Sequence, residues 1–113
     1  MRTWGFLTNH AHVLIHIARD PRATVREIAL AVGITERAAH AVVKDLREAS
    51  IVIARRCGRQ NVYSVDAAAL AKHPRWAASE MEIPQSLVDA TLRGLGDVAA
   101  EDAFRQKPRR RSS

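Results

Sequence analysis

Cysteine is nearly missing from this chain of 113 residues: Cys57 is the only one. An intrachain disulfide is therefore excluded, as is a zinc site built from several thiolates of one chain. Aromatic residues are scarce, at 4%, so the core must be made mainly of Ala, Val, Ile and Leu. No run of about 18 apolar residues occurs, which excludes a helix through a bilayer and makes a membrane partner unexpected. Met1–Arg19 has no long apolar stretch followed by a small-residue cleavage site, so the expected location is cytoplasmic. There is no phosphate-binding loop, no GxSxG and no HExxH, and Glu80 and Glu82 belong to no recognisable site. The expectation is a protein without enzymatic activity and without a cofactor.

What is abundant is positive charge. The formal net charge is +6 and the pI is about 10.7, a balance that favours polyanionic partners. Its distribution is uneven: residues 1–66 carry +4, residues 67–104 carry −3 and residues 105–113 carry +5. The basic surface therefore belongs to the first half and to the tail. The acidic segment between them is better suited to meeting protein.

The punctuation of the first half defines short elements. Thr8 or Asn9 caps a helix running to about Ala18, with His10, Val13, Leu14, Ile17 and Ala18 on one face. Asp20-Pro21 stops it. Thr24-Val25-Arg26-Glu27 is a capping box opening a second helix with the stripe Val25, Ile28, Ala29 and Val32. Gly33 supplies the left-handed residue that ends it. Thr35 caps a third helix to about Ala49, burying Ala38, Ala39, Val42, Val43, Leu46 and Ala49. Ile51–Arg56 and Val62–Val65 read as strands joined by a turn at Cys57–Asn61. Ile51, Ile53, Val62 and Tyr63 are the candidates for leaning this ribbon on the helices, which a two-stranded unit requires. Asp66 caps a short helix over Ala67–Lys72. Pro84 opens a last one, to about Leu95, limited by Gly94 and Gly96, with Leu87, Val88, Leu92 and Leu95 apolar.

The fold class is thus mainly α with a small β-ribbon (α+β): a winged helix-turn-helix with an appended C-terminal helix. The expected organisation is a winged helix domain over 1–74, a helical segment suited to dimerisation over 75–104, and a disordered basic tail over 105–113. Such a unit offers one helix to the major groove of DNA and a loop to its flank.

The segment Gly33–Val52, GITERAAHAVVKDLREASIV, resembles the recognition-helix region of bacterial winged-helix regulators of the ArsR and MarR type. Those proteins show a glycine, a capping Ser/Thr, a variable polar helix face and a Leu-Arg-Glu-Ala-Gly exit. Here the exit is Leu46-Arg47-Glu48-Ala49, with Ser50 where glycine is usual. The following RRCGRQNVYSV resembles the basic wing of the same families. The similarity covers about Asn9 to Asp66. It implies a homodimeric, sequence-specific transcriptional regulator of double-stranded DNA, most often a repressor, each protomer reading half of a near-palindromic site. Dimer contacts in those families usually involve terminal helices. That points here to the first helix with its Trp4/Phe6 arm and to Gln85–Leu95. No effector is assigned.

On the third helix, Thr35 and the free N–H groups beside it suit a phosphate. Glu36 suits a cytosine amino group and Arg37 the O6 and N7 of guanine. His40 lies one turn along the same face, Ala41 leaves room for close approach, and Lys44 is placed for backbone phosphate. The wing adds Arg55, Arg56, Arg59, Gln60 and Asn61. A basic tip suits a narrow minor groove. Arg109-Arg110-Arg111 adds non-specific attraction or simply solubility.

Two other constellations have plainer readings. His10, His12 and His16 include an i,i+4 pair with metal-ligand spacing, but a histidine-rich surface or interface accounts for them and no metal is assigned. Cys57 is either an incidental turn residue or a thiol for an intermolecular bridge. Two alternative functions also stand. One is a winged-helix protein-interaction module, and the other is a non-specific nucleic-acid or nucleoid-associated binder.

Overall fold

The computed structural model describes residues 5–77 and 79–106. Trp4 and Arg109–Arg111 lie outside these residues. The elements run α1 (Asn9–Arg19), α2 (Val25–Val32), α3 (Glu36–Glu48), β1 (Val52–Cys57), β2 (Gln60–Val65), α4 (Ala67–Ala71) and α5 (Gln85–Gln106).

Side-chain caps set the starts of the first four helices. Thr8 accepts from the Ala11 N–H, Thr35 from that of Ala38, and Asp66 from those of Ala68 and Ala69. Thr24 and Glu27 form the expected reciprocal box. Each such cap contributes about 1 kcal/mol by satisfying donors that have no partner inside the helix. Gly33 ends α2 with φ 84°, where a Cβ would be strained.

The core sits where α1, α2 and α3 meet the ribbon. Val13, Ile17 and Ile28 are fully excluded from solvent, and Val52 nearly so. Around them lie Leu14, Val42, Val43, Leu46, Ile51 and Tyr63. The inner face of α3 is thus the expected one, with Ala38 and Ala49 half-buried at its margins. His10 departs from expectation. It is exposed, and its Nε2 lies 2.9 Å from Oδ2 of Asp45 on α3. A polar ring at the edge of the apolar stripe reaches a carboxylate rather than the core.

The ribbon is antiparallel, pairing Val52 with Val65, Ala54 with Tyr63 and Cys57 with Gln60. Side chains alternate across a strand, so Val52 and Tyr63 turn inward while Ile53, opposite Ser64, is 48% exposed. Ile53 therefore does not anchor the ribbon; Val52 takes that place. The turn is also shorter than the five residues expected. Only Gly58 and Arg59 lie outside the strands, with Gly58 at φ 64°. A two-residue loop with a positive-φ first residue follows the strand twist, so pairing extends almost to the tip.

Three backbone hydrogen bonds hold the ribbon in place, two to the helical part and one across its own base. Ile51 N–H donates to Leu46 O, Tyr63 N–H to Pro21 O, and Asp66 N–H to Ile51 O, at 2.9, 2.8 and 2.7 Å.

The last helix differs most from the sequence reading. It runs through both glycines to Gln106, two residues into the segment expected to be a tail. Each internal glycine costs about 1 kcal/mol, but burial of Val88 and Leu95 against the domain offsets that cost. Leu87 is 54% exposed, and Phe6 of the N-terminal arm is 89% exposed. Within the protomer, then, Phe6 does not dock. Among the described residues no helix is long and apolar enough to cross a membrane.

Candidate nucleic-acid interface

The outer face of α3 is free. Glu36, Arg37, His40, Ala41 and Lys44 are all exposed, as is the capping Thr35. The cause is periodicity: Ala39, Val42, Val43 and Leu46 take the inward stripe and leave the polar residues on the opposite side. The carboxylate of Glu36 lies 3.8 Å from His40 Nε2, and Glu48 lies 3.9 Å from Lys44 Nζ. These are exposed i,i+4 pairs, worth at most a few tenths of a kcal/mol. They leave the groups available to a ligand. Arg37 has no carboxylate partner among the described residues.

The wing candidates do not share one surface. Arg55 and Arg56 are exposed and alternate across β1, opposite Val62 and Asn61. Arg56 Nε donates to Gly58 O at 3.2 Å, bracing the turn from within. Arg59 occupies the tip. Gln60 and Asn61 are strand residues, and Gln60 Oε1 accepts from Arg22 Nη1 at 3.0 Å. Cys57 is exposed, with a free thiol.

A cleft of about 330 Å³ joins the helix to the wing. Glu36 and His40 line one side, and Arg59, Gln60 and Asn61 another. The α1–α2 corner and the first turn of α2 complete the lining, contributing Arg22 and Arg26. Those two arginines are not among the sequence candidates. A sequence signal existed for Arg26 alone, which lies in the first turn of α2, where the dipole favours acids over cations. The histidines of α1 stand apart from this surface, and among the described residues no group of three or more His, Cys, Asp or Glu could hold a metal ion.

Residues 8–53 match the family model described as winged helix-turn-helix DNA-binding. Comparison with curated proteins gives no match. Among solved structures, the chain is similar to a MarR family protein of Mycobacterium tuberculosis in complex with salicylic acid. The TM-score is 0.49 and the identity 22%, over 93% of this chain and 73% of that one. The family match ends at Ile53, the second residue of β1, and the paired strands β1 and β2 complete the unit. Helix α2, the left-handed Gly33, the outward-facing α3 and the short ribbon together form a winged helix-turn-helix, the fold of the DNA-binding family model that residues 8–53 match.

Proposed function

We propose that the protein is a sequence-specific transcriptional regulator that binds double-stranded DNA as a homodimer and represses by occupying promoter DNA. One observation carries this reading: the entire polar face of α3 is exposed, and it shares a cleft with the wing residue Arg59. A helix held by its apolar face and open on its polar face has the shape required for the major groove. Arg37 then reads guanine, with Glu36, His40 and Ala41 beside it, while Thr35 and Lys44 hold phosphates. Arg55, Arg56, Arg59, Gln60 and Asn61 present the flanking contacts, with Arg59 foremost. Phe6 and Leu87, large apolar side chains open to solvent, are the proposed contacts between protomers.

Selection from a random duplex library tests the proposal. An enriched inverted repeat is expected, with binding that weakens steeply as salt rises. Binding without an enriched motif favours a non-specific nucleic-acid binder. No binding at low salt favours a protein-interaction module.

A further inference from the structure

A groove of about 770 Å³ lies between α1, the end of α3, α4 and α5. Its walls are mainly apolar, with Leu14, Leu46, Leu70, Leu95 and Val98 among them. Most of its polar side chains are already engaged within the chain. Thr8 caps α1, and His10 lies against Asp45. The Thr91 hydroxyl donates to Leu87 O at 2.8 Å, and the Trp76 indole N–H donates to Leu70 O at 3.0 Å. The other two, His73 and Arg75, both belong to the segment after α4. A pocket that orients a small ligand needs several placed polar groups with bonding capacity to spare. This groove has few, so an apolar side chain suits it better.

Such a side chain stands at the edge of the groove. Leu7 forms part of its lining, and the adjacent Phe6 is 89% exposed. The arm turns away from its own groove at this point. A Cβ at Gly5 would stand 3.9 Å from the His12 ring, and His12 is not part of the groove wall, whereas His10 and Ala11 are. On α5, the exposed Leu87 extends by one turn the stripe of Thr91, Gly94, Leu95 and Val98 that faces the groove. An exposed ring beside an open apolar groove on the same chain is self-complementary, because a two-fold axis brings each ring to the other's groove. We propose that Phe6 of one protomer docks in the α1–α5 groove of a second copy, against Gly94. A Cβ at Gly94 would meet nothing within 4 Å, so the missing side chain leaves that wall open for the ring. The inference rests on the homodimer reading above and extends it to which surfaces meet: arm into groove, reciprocally, rather than arm against arm.

The test uses the full chain in sedimentation equilibrium. Phe6→Ala, which removes the ring, and Gly94→Leu, which plugs the groove, are each expected to raise the dimer dissociation constant about tenfold or more. Circular dichroism should stay nearly unchanged. Combined, the two should cost little more than either alone, because they remove the same contact. Thr91→Leu fills the same wall and serves if Gly94→Leu folds poorly. Phe6→Cys together with Gly94→Cys, in a chain where Cys57→Ser removes the native thiol, should oxidise to a covalent dimer. An intrachain bond in a monomer would place the arm in its own groove and overturn the proposal. A wild-type dimer whose dissociation constant neither Phe6→Ala nor Gly94→Leu changes would overturn it too, while leaving the homodimer reading intact. A wild type that stays monomeric would overturn the homodimer reading and this contact with it, leaving the groove to an occupant other than a second copy.

Discussion

The backbone N–H of Tyr63 donates to the carbonyl of Pro21 at 2.8 Å, tying the second strand of the wing to the corner between α1 and α2. The ring of Tyr63 is buried beside it, at 4% exposure. One residue thus fixes the wing by its main chain and fills the core with its side chain. Tyr63→Ala keeps the first contact and loses the second. It should destabilise the fold by about 3 kcal/mol, while Tyr63→Phe stays within about 1 kcal/mol. Urea unfolding followed by circular dichroism gives both values.

Ser50 has φ 63° at the exit from α3. A side chain pays about 1–2 kcal/mol in this left-handed region, and glycine escapes that cost at some loss of unfolded-state restraint. Ser50→Gly should therefore stabilise the protein by roughly 0.5–1 kcal/mol. Gly33→Ala should act in the opposite sense by about 1 kcal/mol. Gly33 sits at φ 84°, and a Cβ there would meet nothing within 4 Å, so its cost is backbone strain alone. A pair of thermal melts with opposite shifts tests the assignment of both turns.

Gly96 is a different case. It lies inside α5 with an ordinary helical φ, and a Cβ would have open space around it. Gly96→Ala should stabilise by about 1 kcal/mol through helix propensity and lower chain entropy. A destabilised variant in the same melt would mean that α5 does not continue through this residue in solution.

The contrast between these glycines explains what the sequence made legible. Local chemistry was readable: Thr8, Thr24, Thr35 and Asp66 cap helices because short polar side chains reach backbone donors only there, and Gly33 closes α2 for a similarly local reason. The 3.6-residue period likewise separated the two faces of α3. What depended on packing between distant segments was not readable. The two glycines of α5 were overridden by burial of Val88 and Leu95. The strand parity that turns Val52 in and Ile53 out is set by pairing with Val65 and Ser64. Arg22 and Arg26 gained a context only when the fold brought α2 beside Gln60 and Arg59.

On the DNA side, Arg37 and Lys44 should separate reading from holding. If Arg37 bonds a guanine, Arg37→Ala costs about 1–3 kcal/mol and relaxes preference at one position of each half-site. Lys44→Ala should weaken all sequences alike and lower the salt slope by about 1. Competition binding against single-position variants of the selected site distinguishes the two. Equal losses across all variants for Arg37→Ala would reduce that residue to a phosphate contact.

Leu87 connects assembly to recognition. It lies on α5, one residue before the buried Val88, yet is 54% exposed, so it contributes little to the protomer's own core. If it lies between protomers, Leu87→Glu places a charge in an apolar contact while leaving the fold intact. The wild type should then sediment at twice the 12.5 kDa chain mass, and the variant at the single mass with a nearly unchanged circular dichroism spectrum. Losing the link between two half-site readers also removes their effective concentration on one duplex, so affinity for an inverted repeat should fall about a hundredfold or more. Affinity for an isolated half-site should not change. A wild type that sediments as a monomer, or a Leu87→Glu variant that remains dimeric and binds the repeat as before, removes this face from the interface.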